Sequence, residues 1–326
     1  MKLGIIGGGA WGTALAQVSA EGDRETLIWA LEPDVVEAIN NRHENPTYLS
    51  GIPLNVAIRA TSDLEELGSC DCLLVVTPAQ HMRAVLERVG DCRRPLILCS
   101  KGVEEKSGQL LHKVAGEACP DAQVAVLSGP TFAHEVARGL PTAVTLAAED
   151  PVLARSLRDR IALPTFRVYV SNDVAGAEIG GAVKNVLAIA CGVVEGKGLG
   201  QNARAALVAR GFAEMTRFGL ALGARLETLA GLSGLGDLVL TCSSTSSRNY
   251  SLGKGIGEGR SAAELLSDRK TVAEGAFTAP VLARLARSKG VDMPIVDAVD
   301  ALIAGRASVD QVLDALLSRP PRAEGV

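Results

Sequence analysis

Apolar and polar positions follow two regimes along the chain. Through the first half, short apolar runs alternate with stretches of helical spacing; past residue 173 only the helical spacing continues. The runs 2–6, 26–30, 72–76, 95–99 and 124–127 are largely apolar and predict strands buried on both faces, as in a parallel sheet. Helical patterns lie between them, over 13–20, from Pro33 onward, over 79–89 and over 108–118. A short helix is expected at 62–67, with Ser62 as its cap and Glu65 three residues on. Apolar runs at 142–147 and 166–170 flank a further helix at 151–161, and Ser171-Asn172-Asp173 marks a turn and a helix cap. Strands alternating with helices predict a Rossmann-type, doubly wound sheet.

In the second half Leu207, Gly211, Met215, Phe218 and Leu222 recur at helical spacing. Ser261 with Glu264 and Ser308 with Gln311 are capping-box patterns. Thr278 before Ala279-Pro280 reads as another helix start, and Gly290 and Gly305 as stops. The glycine-rich runs 196–200 and 253–259 read as flexible loops. With 326 residues, two domains are expected: an α/β dinucleotide-binding domain over 1–173 and an all-α substrate-binding domain over 174–326. Small-molecule sites favour the cleft between such domains.

Composition narrows the classes. A net charge of -4 and an aromatic content of 3% give no electrostatic or stacking reason to expect nucleic acid. Seven scattered cysteines, mostly inside apolar runs, read as buried thiols of a reducing compartment. Cys70-Asp71-Cys72 has neither zinc nor redox spacing, and the four histidines add no ligand pattern, so no metal is expected. The first apolar run breaks at three glycines, unlike a signal peptide, and no stretch reads as a membrane span of roughly 20 apolar residues. A cytoplasmic protein without a membrane span is the expectation.

The candidate chemistry sits at run ends. Gly7, Gly9 and Gly12 fill G-x-G-x-x-G between a predicted strand and a predicted helix. Such glycines allow a tight turn, approach of backbone to a pyrophosphate, and close helix packing, and the helix N-terminus offers free N–H groups. A purely structural turn is the other reading. Glu32 stands about 20 residues after the motif, where an acidic residue binds the adenosine ribose hydroxyls. A carboxylate there would repel a 2′-phosphate and favour NAD over NADP, unless Arg24 or Arg42 lies close; a solvated helix start before Pro33 is the alternative. Ligands bind at the carboxyl ends of such strands, which puts Gly9, Glu32, Pro78, Lys101 and Gly129 along one edge. Lys101 beside Gly102 suits an anionic ligand, or is a surface lysine.

Lys184-Asn185 follows two glycines and precedes an apolar run, on a helix packed on most sides. Burial there tunes an ammonium for proton transfer; a snorkelling stem over apolar surface is the bland alternative. Asp237 follows Gly234-Leu235-Gly236, read as a flexible turn. The hydroxyl-rich stretch 241–249 ends in Ser247-Arg248-Asn249, a phosphate cradle or a polar linker. Glu274 before Gly275 is a carboxylate near a helix terminus.

Taken in order, the segments 7–16, 100–102, 128–133, 181–185, 231–238 and 247–249 resemble the bacterial NAD(P)-dependent glycerol-3-phosphate dehydrogenase family over nearly the whole chain. The resemblance implies reversible reduction of dihydroxyacetone phosphate to sn-glycerol 3-phosphate with NAD(H) or NADP(H), for glycerophospholipid synthesis. It implies Lys184 as the catalytic lysine, with Lys101 and Asp237 beside it in catalysis. Lys101, Gly129, Thr131, Lys184, Asp237, Ser247, Arg248 and Asn249 would contact substrate. Gly7, Gly9, Ala10, Trp11, Gly12, Glu32, Lys101, Ala133, Arg248, Val272 and Glu274 would contact the cofactor. Many relatives carry Arg after the second strand, where this chain has Leu31-Glu32, a departure that bears on NADPH use. A homodimer is compatible with this reading. The rivals are a 3-hydroxyacid or 6-phosphogluconate dehydrogenase type, with wider Lys–Asn spacing, and an NAD(H) sensor, which would not require Lys184, Lys101, Asp237 and Arg248 together.

Overall fold

The computed structural model describes residues 2–22, 24–90, 92–267 and 273–320. The chain forms two compact units, Met1–Lys101 with Gln109–Ala177, and Gly102–Gly108 with Glu178–Val326.

The first unit runs β1 (Leu3–Ile6), α1 (Ala10–Ser19), β2 (Thr26–Trp29), α2 (Pro33–Arg42), β3 (Ile58–Thr61), β4 (Cys72–Val75), α3 (Met82–Val89), β5 (Leu96–Leu98), α4 (Leu111–Ala118), β6 (Val124–Ser128), α5 (Ala133–Ala137), β7 (Thr142–Ala147), α6 (Pro151–Ile161) and β8 (Phe166–Ser171). These strands form one sheet in the order β3-β2-β1-β4-β5-β6-β7-β8. All neighbours are parallel except β6 and β7, so the chain reverses there and β8 again runs beside β7 in parallel. The strand order reverses direction at β1 and β4, the switch point at which doubly wound sheets bind ligands.

Uninterrupted apolar strands make sense because the sheet has a core on each face. Leu3, Ile5, Ile28, Cys72 and Leu74 belong to one buried cluster. Ile6, Leu27, Trp29, Leu73 and Val75, their neighbours along the strands, belong to the other. Two local expectations fail here. The segment after β3 is a 3-10 helix over Glu65–Ser69 with no side-chain cap, because Thr61 and Asp63, not Ser62, accept the nearby backbone N–H groups. Helix α4 begins at Leu111 rather than 108, since Gly108 takes a left-handed φ of 68° that a helix cannot continue.

In the second unit come α7 (Val174–Gly196, which starts in the first unit), α8 (Gly200–Ala221), α9 (Leu226–Leu229), a π-helical turn at Leu232–Gly236, α10 (Asp237–Thr241), α11 (Arg248–Gly257), α12 (Ala262–Leu266), α13 (Glu274–Ser288), α14 (Pro294–Ile303) and α15 (Val309–Leu317). Asp173 opens α7 by accepting the Gly176 N–H at 2.9 Å. Helix α7 corrects the reading that no stretch suits a membrane span: it is long and apolar enough, with a mean hydropathy of 1.5. Its apolar window is wholly buried in the molecule, as in a core helix.

Three further readings change in this unit. Helix α13 starts at Glu274 and runs through Pro280; Thr278 is not its start but donates its hydroxyl back to Glu274 O at 2.9 Å. Gly234 and Gly236 lie in the π-helical turn rather than a flexible one. The run 253–259 is mostly helix α11, not a loop. Its glycines serve contact. A Cβ on Gly253 would lie 1.9 Å from Ile189 O, and one on Gly257 2.4 Å from Val193 O. On α7, a Cβ on Gly192 would lie 2.0 Å from Tyr250 O, and one on Gly196 2.1 Å from Lys254 O. Helices α7 and α11 therefore meet backbone to backbone along four glycines, closer than any side chain would permit.

Candidate active site

At the switch point of the first unit, Gly7 adopts φ 127° and donates its N–H to Trp29 O at 3.0 Å. A Cβ on Gly12 would lie 1.8 Å from Gly7 O, so the turn closes only with glycine there. Gly9 is the N-cap of α1, with no side-chain cap bond and no atom within 4 Å of where its Cβ would be. Ala10 and Trp11 begin the first helical turn, whose N–H groups have no intrahelical acceptor.

Buried Asn45, which sequence reasoning missed, pins this turn: its Nδ2 donates to Gly8 O at 2.9 Å and Thr13 Oγ1 at 2.8 Å. No periodicity marks it, because its bonds reach back over 30 residues of chain. Glu32 caps α2 in position only; its carboxylate makes no cap bond and accepts instead from Tyr48 Oη at 2.8 Å.

Along the same strand ends, Ser100 Oγ donates to Thr77 O at 2.5 Å. Lys101 Nζ and Thr131 Oγ1 each donate to Gly129 O at 3.3 Å, which gathers Lys101, Gly129 and Thr131. A Cβ on Gly129 would lie 2.9 Å from Val144 Cα. Ala133 begins α5 just beyond. Trp11 Nε1, Thr77 Oγ1 and Ser128 Oγ are buried here without hydrogen-bond partners. Buried polar atoms are almost always satisfied. Three orphans at one strand edge, beside an uncapped glycine turn, fit a polar dinucleotide.

The second unit holds the lysine. Lys184 Nζ donates to Asp237 Oδ1 at 2.6 Å and to Thr241 Oγ1 at 2.9 Å, and Thr241 Oγ1 donates to Asp237 Oδ1 at 3.3 Å. Lys184 is 5% exposed and Asp237 0%. A buried ammonium needs such a carboxylate, or its desolvation goes uncompensated. The π-helical turn brings Asp237 there. It sits on α7 at Gly180, one helical turn before Lys184, where a Cβ would lie 2.2 Å from Ser233 O. Thr241 is a second residue that sequence reading missed as a partner of Lys184; its spacing of four from Asp237 on one helix was the available signal.

Asn249 Nδ2 donates to Asn185 Oδ1 at 3.1 Å, and Gly275 N–H donates to Asn249 Oδ1 at 2.9 Å. Asn249 thus joins α7, α11 and the N-terminus of α13, where Glu274 is the first residue. Ser247 caps α11, its Oγ accepting from Tyr250 N–H at 3.3 Å. Arg248 is exposed at the first position of α11 and has no protein partner among the described residues. Val272 lies outside the described residues. No cluster of three or more potential metal ligands occurs among the described residues.

Residues 2–154 match the family model for the N-terminus of NAD-dependent glycerol-3-phosphate dehydrogenase, and residues 173–314 match the model for its C-terminus. The chain belongs to this family. It is therefore an NAD(P)-dependent oxidoreductase by class. It is 63% identical to glycerol-3-phosphate dehydrogenase [NAD(P)+] of Erythrobacter litoralis, covering 99% of this chain and 98% of that protein. Its counterpart in Caulobacter vibrioides is 56% identical over 99% of this chain and 98% of its own. The fold is that of the Coxiella burnetii glycerol-3-phosphate dehydrogenase, with a TM-score of 0.93 at 37% identity over 98% of this chain and 99% of that one.

Proposed function

We propose that Lys184 is the proton donor and acceptor of this chain's glycerol-3-phosphate dehydrogenase reaction, the reversible reduction of dihydroxyacetone phosphate to sn-glycerol 3-phosphate. What supports the role is the buried triad of Lys184, Asp237 and Thr241. Gly7, Gly9 and Gly12 would hold the pyrophosphate of a dinucleotide, which would supply or take the hydride at C2 of the substrate. As the C2 oxygen gains negative charge, the Lys184 ammonium stabilises it and gives it a proton; in the reverse direction the neutral amine takes the alcohol proton. Asp237 and Thr241 orient the nitrogen, and Asp237 balances its charge while it is protonated. Lys101 adds positive potential and helps set the pose of the substrate.

Arg248 suits the phosphate. A cation in the first turn of a helix opposes the helix dipole, so without an anion its place is unfavourable. A phosphate would take its paired N–H groups and the N-terminal field of α11 together, with the Ser247 hydroxyl beside it. Asn249 acts through structure, holding Asn185 and α13 in place. Binding energy at the phosphate then aligns the distant carbonyl.

Initial rates with dihydroxyacetone phosphate and NADH test the assignment. Lys184→Ala is expected to lower kcat by about 10³-fold or more with the dissociation constant of NADH unchanged. A variant that keeps kcat, or loses NADH affinity equally, removes Lys184 from proton transfer. A reductase yielding sn-glycerol 3-phosphate supplies glycerophospholipid synthesis, and seven free, buried cysteines support a place in the reducing cytoplasm.

A further inference from the structure

We propose that β8 is an interaction edge for a second copy of this chain: two β8 strands pair antiparallel about a two-fold axis through Tyr169, joining their sheets into one. Strand β8 ends the sheet and pairs only with β7. An open edge strand is a template for another chain, and edges that stay single are blunted by Lys, Pro, a bulge or shortness. β8 uses none of these. Its six residues, Phe166–Ser171, keep unbroken register with β7, and Tyr169 and Val170 are 50% and 43% exposed. The opposite edge differs, since β3 has four residues and buries Ile58, Ala60 and Thr61.

Hydrogen bonding selects the axis. In a parallel ladder a residue turns its N–H and C=O to the same side, and successive residues alternate sides. Thr142 N–H donates to Thr165 O and Ala148 N–H to Ser171 O, so the odd-numbered residues of β8 face β7. Phe166, Val168 and Val170 therefore face outward. Phe166 is already occupied: its N–H donates to Leu163 O at 3.1 Å, and its O accepts from Leu163 N–H at 3.0 Å. Val168 and Val170 have no outward partner among the described residues. An axis through Tyr169 sets Val168 of each copy opposite Val170 of the other, and both pairs exchange N–H···O bonds in full. An axis through Val168 would set Val170 against the occupied Phe166.

Side chains and charge agree with this axis. Tyr169 meets its own copy at a non-hydrogen-bonded position, where cross-strand side chains lie closest, and the Arg167 guanidinium stands 5.8 Å from the Tyr169 ring centre. On the other face the Val168–Val170 pairs are apolar. A groove of about 470 Å³ along the strand, lined by Ala162, Leu163, Pro164, Arg167, Val168 and Tyr169, leaves room for the partner's edge. Arg160 ends α6 and Arg167 begins β8 at one end of this edge; exposed Glu149 and Asp150 follow β7 at the other. The two-fold axis sets the basic end of each copy toward the acidic end of the other, whereas parallel pairing would set like toward like.

Light scattering behind a sizing column, on the full chain at tens of micromolar, tests the proposal. The wild type is expected at twice the chain mass. Tyr169→Lys sets two ammonium groups opposite each other at the axis and should raise the dimer dissociation constant by more than about tenfold, with the circular dichroism spectrum unchanged because Tyr169 is half exposed. Tyr169→Cys reads the register. Residues at the axis have Cα atoms about 4.5 Å apart, within disulfide reach, so oxidised glutathione should convert the two thiols to one intermolecular disulfide and leave two reduced glutathiones. Ser171→Cys, opposite Arg167 of the other copy, should not cross-link. A wild-type monomer overturns the proposal, as does a dimer that Tyr169→Lys leaves intact. Cross-linking through Ser171→Cys in place of Tyr169→Cys overturns the axis through Tyr169.

Discussion

Arg248 and Lys184 are opposite ways of keeping a cation. Lys184 is buried, and its charge is matched at 2.6 Å by Asp237. Arg248 is exposed, without a charged partner among the described residues, and set against a helix dipole. The first arrangement tunes a proton; the second waits for an anion. Arg248→Ala should therefore raise the KM for dihydroxyacetone phosphate by about 10²-fold, since a charge-assisted bidentate contact is lost. Stability should change little, because no hydrogen bond or ion pair to Arg248 occurs among the described residues. Steady-state kinetics beside a thermal melt checks this; an unchanged KM with a lowered Tm would make Arg248 structural. The motifs containing these residues were legible in the sequence. Their partners were less so. Thr241 and Asn45 act through contacts 57 and 32 residues away along the chain.

At the scale of elements, glycines decide where the second unit's helices can go. The run 253–259, which reads as a loop, is mostly the contact face of α11 on α7, whereas 196–200 is a turn beyond Gly196. Local composition reads glycine as flexibility because it weighs only backbone freedom; packing uses the missing side chain instead. Gly180 does the same for the turn carrying Asp237. Gly180→Ala should push that turn off α7, lowering stability by about 1–3 kcal/mol. It should also lower kcat by an order of magnitude or more as Asp237 shifts from Lys184. Urea unfolding and kcat measured on one preparation test the link; lost stability with full kcat would show that the turn carries no catalytic geometry.

Across the whole molecule, Glu214 on α8 ties stability to pH. Its carboxylate accepts the Ile295 and Val296 N–H groups at the start of α14, at 2.8 and 3.3 Å. Burial outweighs those bonds and pushes it up to about 7, against 4.5 for an ordinary glutamate. Between these values the folded chain holds a proton that the unfolded chain has released. Its stabilising share is therefore full below about 4.5 and is lost as pH rises through about 7, on the order of 3 kcal/mol in all. Glu214→Gln removes the titration, so the fall in stability from pH 5 to pH 8 should be shallower in the variant. Parallel slopes in denaturant melts at the two pH values would contradict this. The sequence by itself determined the two-regime architecture, because strand and helix periods are local and a sheet buried on both faces requires unbroken apolar runs. It also determined the glycine turn and the motifs that mark the family. Tertiary structure alone decided the other partners: Thr241 on Lys184, Asn45 on the glycine turn, Tyr48 on Glu32, and the assignment of Gly102–Gly108 to the second unit. Those pairings depend on which backbones can approach, and that is settled by three-dimensional packing rather than by any interval along the chain.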